Sequence, residues 1–151
     1  MKLLVHVEYA QDWLTEPLET TGQKQASWRS DPSRSGIGGC ISDIGTHAFN
    51  LLSFITGLKT NSLCADMSSF GPDRLLDDNV NMLLRFEGGA RGMLWASQVA
   101  PGNENHLGIR IYGDKGGGRM ATGKSEPALV YPLWCSQAVA NARRSRCVAR
   151  I

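Results

Sequence analysis

The sequence predicts an α+β domain in which a helix covers one face of a large, mostly antiparallel sheet. Three observations predict this class: an apolar-periodic segment typical of a helix, a run of β-prone segments after it, and one β-prone segment before it. A helix must bury its apolar stripe, and a sheet offers the face for it. The chain of 151 residues is long enough for one domain with a substantial core.

The first segments are a strand and a long connection. Residues 3–13 are β-prone and partly alternate between apolar and polar side chains, which predicts a strand. Residues 14–39 are rich in Thr, Ser, Gly, Pro and Gln, with Trp28 as the one strongly apolar landmark, and we predict a loop. A connection of this length is uncommon inside a compact domain and is usually functional or mobile.

The helix is predicted over residues 40–56, where six apolar residues follow the three- and four-residue spacing of one buried face. These residues are Ile41, Ile44, Ala48, Leu51, Leu52 and Ile55. Gly57 follows the last of them and is predicted to end the helix. Gly45 costs up to about 1 kcal/mol relative to alanine inside a helix. Its presence predicts close packing against the helix backbone.

Four β-prone segments follow the helix. They cover residues 60–70, 79–87, 90–99 and 106–113. Gly88 and Gly89 supply a turn that joins the second and third segments into a hairpin. Some segments are apolar on both faces, as where Leu83 adjoins Leu84. An apolar face that the helix leaves bare predicts an interface between copies of the chain, so a homodimer or higher homo-oligomer is expected.

Charge is distributed unevenly along the chain. The formal net charge is +2, but residues 119–151 contain six basic residues and one acidic residue. The body before them is mildly acidic, so nucleic acid is not an expected partner, and the basic tail is either a contact arm or a solvated segment. No apolar run approaches the roughly 20 residues of a membrane span. Residues 1–7 lack the h-region of a signal peptide, so no membrane partner and a cytoplasmic location are expected.

The residues offer no pattern for a metal or a nucleotide. The four cysteines are far apart and have no C-x-x-C spacing, which argues against a structural zinc site and a disulfide framework. They are Cys40, Cys64, Cys135 and Cys147. No G-x-G-x-x-G follows a strand, and the glycine-rich residues 113–118 lack the Walker spacing. Neither a metal nor a dinucleotide is therefore expected to bind this chain.

The pattern that carries chemistry lies at the start of the helix. Asp43 and His47 are four residues apart, so their Cβ atoms would lie about 5–6 Å apart on one helix face. A carboxylate and an imidazole so placed can share a proton, and histidine can take a hydroxyl proton near neutral pH. The same spacing is also typical of a surface pair or a cap contact, and spacing alone leaves both interpretations open.

Taken together, these residues resemble a family. The run W-R-x-D-P-x-x-S-G-x-G-G, beginning at Trp28, followed by D-I-G-x-H, ending at His47, is similar to the signature of the Gfo/Idh/MocA oxidoreductases. The later D-D-N-V-N-M-L-L-R-F-E-G-G-A-R-G and I-Y-G-D-K-G-G resemble that family's hairpin and last-strand region. The resemblance covers residues 3–118 and implies a C-terminal substrate and dimerisation domain.

The resemblance also implies roles for individual residues. His47 would be the catalytic acid or base on a substrate oxygen, with Asp43 as its partner and a substrate contact. The loop before the helix would border the substrate site of a sugar or polyol dehydrogenase. Its matching residues are Lys24, Trp28, Arg29 and Asp31. In such enzymes NAD(P) binds an N-terminal Rossmann domain and supplies the hydride chemistry.

The chain departs from the family at both ends. It contains no Rossmann half and no E-K-P lysine, so acting alone it should not be a dehydrogenase. Three functions remain: an isolated substrate-side domain that is inactive alone, half of a split oxidoreductase with a separate Rossmann protein, or a non-catalytic binding or assembly module.

Residues 119–151 do not match the family's closing strand. A one-base frame shift would turn Met120-Ala121 into tryptophan and permit E-W-Q-Q-E-N-P-N over residues 119–127. We therefore hypothesise a frameshift-derived tail, with an ordinary divergent tail as the alternative. The gene's nucleotide sequence decides, because the hypothesis fails if the shifted frame does not encode that segment.

Overall fold

The computed structural model describes residues 3–122 and 129–132, and within them it contains one seven-stranded sheet. In chain order the strands are β1 (Leu3–Ala10), β2 (Thr60–Ser68), β3 (Asn79–Phe86), β4 (Arg91–Ser97), β5 (His106–Gly113), β6 (Gly116–Ala121) and β7 (Leu129–Pro132). Their order across the sheet is β2-β3-β4-β1-β5-β6-β7. Each neighbouring pair is antiparallel except β1 and β4. The predicted α+β class with a mostly antiparallel sheet is confirmed.

One long helix packs on one face of this sheet. It begins with a π-turn at Ile41–Gly45 and continues as an α-helix over Thr46–Thr56, which confirms the helix predicted over residues 40–56. Gly57 ends it in the left-handed conformation, with φ at 63°. The core lies between helix and sheet, where apolar side chains from both are buried. Its largest fully buried apolar residues are Val5, Leu52, Val80, Leu84 and Leu94.

The connection predicted as a loop over residues 14–39 contains helical segments, so that prediction is wrong. A short 3-10 turn at Leu18–Thr20 is followed by α1 (Lys24–Arg29) and α2 (Pro32–Ser35); the α-helix at Thr46–Thr56 is α3. Helices of six and four residues are too short to show an apolar period. Each is instead started by a local cap: the side chains of Gln23 and Asp31 accept the first free backbone N–H groups.

The opposite face of the sheet keeps apolar side chains exposed. Leu4, Leu83, Met93 and Tyr112 are each about half exposed there. On β3, Leu83 alternates with Leu84, which is buried on the helix side together with Val80 and Phe86. A shallow groove of about 300 Å³ crosses this open face between β2 and β5.

The last strands extend the sheet beyond the segment that resembles the family. β6 crosses residue 118, and β7 pairs antiparallel with it from Gly116↔Pro132 to Arg119↔Leu129. Most of the predicted basic tail, residues 123–128 and 133–151, lies outside the described residues. In the described part of the chain, no helix is long and apolar enough to cross a membrane.

Candidate functional site

Three distant segments meet at the carboxylate of Asp43. Asp43 lies in the π-turn, and one of its oxygens forms an ion pair with the Arg29 guanidinium at the end of α1. The other oxygen accepts a hydrogen bond of 2.7 Å from Nε2 of Gln98, which follows β4 and is 3% exposed. The side chains of Asp43 and Arg29 are 27% and 30% exposed, so the pair is reachable from solvent.

The π-turn changes the relation between Asp43 and His47. The backbone N–H of Thr46 bonds to the carbonyl of Ile41, five residues back. Such a turn contains an extra residue, and it is often found at functional sites. The two side chains are therefore not one regular α-helical turn apart. In the described part of the chain, the carboxylate bonds to Arg29 and Gln98 and not to His47.

His47 is exposed and lies beside a polar cluster formed by the ends of two strands. Its ring centroid is 6.3 Å from that of Tyr9, on β1. The Tyr9 hydroxyl donates to Oδ1 of Asn105 at 2.7 Å, and Nε2 of Gln11 donates to the same oxygen at 2.8 Å. An accessible imidazole in polar surroundings can exchange a proton with a bound hydroxyl or carbonyl oxygen.

The exposure of His47 leads to a prediction about stability. Replacing His47 with alanine is expected to change the free energy of unfolding by less than about 0.5 kcal/mol, because surface substitutions away from packing contacts have effects of this size. Denaturant unfolding measures it, with Asn50→Ala on the exposed side of the same helix as control. A loss above about 2 kcal/mol would make His47 a core residue and contradict a role in the site.

The loop residues named from the sequence divide into two groups. Trp28 and Arg29 belong to the site, since the Arg29 guanidinium carbon lies 5.0 Å from the Trp28 ring centroid and its cation pairs with Asp43. Asp31 caps α2, and hydrogen bonds from the hydroxyl and backbone N–H of Ser33 lower the pKa of its carboxyl group. Lys24 is exposed in the first turn of α1.

One nitrogen of Arg29 is left without a partner. Its Nε is buried and has no hydrogen bond to any described residue. Buried polar atoms of this kind are rare, and they commonly mark a position where water or a ligand completes the bonding. The orphan donor belongs to the same guanidinium that pairs with Asp43.

The helix that carries Asp43 and His47 is held at its start by Asp77. The two carboxylate oxygens of Asp77 accept the backbone N–H groups of Gly39 at 2.7 Å and Ile41 at 2.8 Å. Its carbonyl accepts the N–H of Cys40 at 2.7 Å. The first N–H groups of a helix have no partner within the helix, and a carboxylate there is also favoured by the helix dipole. Asp77 therefore fixes where this helix begins.

The next residue, Asp78, is fully buried and holds the neighbouring segments. Its carboxylate accepts hydrogen bonds from the N–H groups of Phe70 and Gly71 and from the guanidinium of Arg74, the last at 2.7 Å. Arg74 also pairs with Glu19 at 2.9 Å. The carbonyl of Asp78 accepts the N–H of Gln98 at 2.9 Å. Asp77 and Asp78 thus connect the start of the helix to Gln98, which donates a hydrogen bond to Asp43.

Sequence reasoning missed Gln98, Asp77 and Asp78 as site residues. Asp77 and Asp78 stand out in the sequence only as the first two residues of the hairpin motif, and Gln98 lies at the end of a β-prone segment with no local pattern around it. Cys40, at the start of the helix, contributes no nucleophile, since burial and nearby carboxylates raise the pKa of its thiol. A cluster of three metal-ligating side chains is absent from the described residues.

A dinucleotide does not fit the glycine-rich segment of this chain. Gly113 and Gly116 pair with each other across the tight turn between β5 and β6, and Gly117 and Gly118 continue the same ladder. Their N–H groups belong to a hairpin rather than to a loop that leads into a helix, which is the arrangement that cradles phosphates.

Comparison with known proteins identifies a family for this chain. The GFO/IDH/MocA C-terminal domain model matches residues 3–119. The chain is 34% identical over 90 residues to the uncharacterized oxidoreductase YfiI of Bacillus subtilis (strain 168), covering 58% of this chain and 23% of YfiI. It is 28% identical over 131 residues to levoglucosan dehydrogenase of Pseudarthrobacter phenanthrenivorans, covering 72% of this chain and 32% of that protein.

A solved structure shares the fold. An inositol dehydrogenase homolog from Azotobacter vinelandii, complexed with NAD⁺, superposes with a TM-score of 0.73 at 28% identity, covering 85% of this chain and 36% of that chain. The present chain thus spans about a quarter to a third of the length of its relatives. From the matched residues and the shared fold, the chain belongs to the GFO/IDH/MocA family, as that family's C-terminal domain.

Proposed function

We propose that this chain is the substrate-side domain of an NAD(P)-dependent sugar or polyol dehydrogenase and is inactive without a nucleotide-binding domain. The observation that carries the proposal is the convergence of Arg29 and Gln98 on Asp43, four residues before the exposed His47, within a chain of this family. Levoglucosan dehydrogenase and an inositol dehydrogenase homolog among its relatives support a polyhydroxylated substrate.

In this proposal His47 acts on the reacting oxygen of the substrate, and Asp43 binds a second oxygen. His47 takes the proton of the reacting hydroxyl, or returns it to the carbonyl oxygen, from its exposed position on α3. Asp43, held by Arg29 and Gln98, accepts a hydrogen bond from a second hydroxyl. A nicotinamide bound by another domain would supply the hydride chemistry.

We propose further that two or more copies associate through the open face of the sheet. Its half-exposed apolar side chains form a surface that monomeric proteins seldom leave in water. Light scattering of the purified chain tests this, since a monomer at about 100 μM would contradict it.

Cys40 and Cys64 carry free thiols, as expected in a reducing compartment, and we place the protein in the cytoplasm.

Ligand titration of the purified chain tests the proposed function. We expect no saturable change in the nicotinamide fluorescence of NADH or NADPH. Calorimetry should detect weak binding of myo-inositol or levoglucosan that Asp43→Ala abolishes and the exposed Asp114→Ala preserves. Saturable micromolar binding of NADH would contradict the proposal, because the chain would then contain a dinucleotide site of its own.

Two other functions predict different results in the same experiments. Half of a split oxidoreductase would gain dehydrogenase activity on mixing with a separately produced nucleotide-binding domain of this family. A non-catalytic assembly module would associate with itself but respond to no polyol and gain no activity.

A further inference from the structure

We propose that Gln98 is a positioning residue of this site, one that holds the Asp43 carboxylate ready to accept a substrate hydroxyl. The proposal rests on the function proposed for Asp43. It goes beyond that function because it assigns a role to a buried amide outside the D-I-G-x-H segment. Three features of the structure support it: the direction of the amide, its fixed backbone, and the oxygens it leaves free.

In the hydrogen bond between Gln98 and Asp43, the amide is the donor and the carboxylate is the acceptor. Its Nε2 is a donor and lies 2.7 Å from Oδ2 of the carboxylate. Arg29 binds the other oxygen, Oδ1. Because each carboxylate oxygen has about two acceptor positions, both oxygens keep one free. A substrate hydroxyl can therefore bond to Asp43 without displacing either protein donor.

The backbone of Gln98 is tied on both sides. Its N–H donates to the Asp78 carbonyl at 2.9 Å, and its carbonyl accepts the N–H of Leu14 at 3.0 Å. The residue is 3% exposed, so its side chain has little room to turn away. Asp77 fixes the start of the helix that carries Asp43, and Asp78 holds the backbone of Gln98. These two adjacent residues therefore position both the acceptor and the donor of the hydrogen bond between Gln98 and Asp43.

The choice of an amide also has a chemical consequence. Arg29 already neutralises the charge of Asp43, and a second cation would bind the carboxylate more tightly and compete with a neutral polyol. A neutral amide adds direction without adding charge. Gln98 therefore orients the carboxylate while leaving it available to hydroxyl groups.

Two substitutions at position 98 test the proposal. Gln98→Met keeps the length of the side chain but removes the donor, and Gln98→Glu places a second carboxylate against Asp43. We expect Gln98→Met to weaken binding of myo-inositol by about tenfold, since a hydrogen bond to a charged group contributes on this scale. Gln98→Glu should weaken it further. The exposed Gln25→Met on α1 is the matched control and should bind as the wild type does.

A nuclear magnetic resonance measurement gives a second readout that needs no ligand. The side-chain amide resonances of Gln98 should shift in the Asp43→Ala variant, while those of Gln25 should not. A tenfold loss in Gln98→Met with a melting temperature close to that of the wild type supports the proposal. Binding within twofold of the wild type in that variant overturns it, as does an absent response of the Gln98 amide to Asp43→Ala.

The two readouts separate this proposal from the function on which it rests. If the wild-type chain binds neither myo-inositol nor levoglucosan, the proposed function is overturned, and with it the claim that Gln98 serves a substrate. If the wild type binds but Gln98→Met binds equally well, the substrate site stands and only the role of Gln98 is overturned.

Discussion

Replacing Asp78 with alanine is expected to lower the free energy of unfolding by about 3 kcal/mol, the largest loss we predict for one polar side chain. Removing one partner of a buried ion pair costs about 3–5 kcal/mol, because the other charge stays buried. Arg74 is that charge, with a side chain only 2% exposed. The loss should fall at the lower end of the range, since Arg74 keeps its pair with Glu19.

Denaturant unfolding of Asp78→Ala measures this loss, with the exposed Glu104→Ala as the control that removes a carboxylate from the surface. The backbone N–H groups of Phe70 and Gly71 also lose their acceptor, so the segment between β2 and β3 should exchange its amide hydrogens faster. A loss below about 1 kcal/mol would contradict a buried, charged Asp78–Arg74 pair.

Gly39→Ala is the second change with a large expected effect, about 3 kcal/mol in the free energy of unfolding. A Cβ atom on Gly39 would lie 2.2 Å from the carbonyl oxygen of Asp77 and 2.9 Å from Cβ of Leu76, and neither atom belongs to the end of a flexible side chain. Overpacking costs about 1–3 kcal/mol. Moving Asp77 away would also weaken its charged hydrogen bonds to the helix start, worth about 1.5–3 kcal/mol each.

Gly45→Ala is the matched control for this prediction, because it lies in the same helix start. There the added Cβ meets Cδ1 of Ile41 at 2.7 Å, which is the end of a side chain that can turn. Alanine also favours a helix over glycine by about 1 kcal/mol. Melting of both variants is the measurement. Equal melting temperatures would contradict the idea that the contact between Gly39 and Asp77 sets where the helix begins.

The sheet and the main helix were predictable from the sequence because their signals are local. The alternation through Val80, Leu84 and Phe86 marked β3, and the apolar spacing of residues 40–56 marked the helix. The two helices within residues 14–39 were not predictable in this way, since their few residues show no apolar period. A capping residue followed by proline, as in Asp31-Pro32, was their only local signal.

The site was predictable only where a motif carried it. The segment that contains Asp43 and His47, together with Arg29, came from the family resemblance. The hydrogen bonds that hold Asp43 did not, because they join it to Gln98, and Asp77 to Gly39, across long stretches of chain. The apolar spacing also does not predict the π-turn, which changes the relative orientation of the Asp43 and His47 side chains.

The parallel pairing of β1 with β4 has a consequence for how the domain assembles. β1 is synthesised before the other strands, and it lies at the centre of the sheet between β4 and β5, which are synthesised much later. The antiparallel ladders β2-β3-β4 and β5-β6-β7 each join successive strands and can form early, whereas β1 must bridge them. Contacts between residues far apart in the chain form slowly. Because β1 also brings Tyr9 to His47, we expect this part of the candidate site to form only after β1 has paired with β4 and β5.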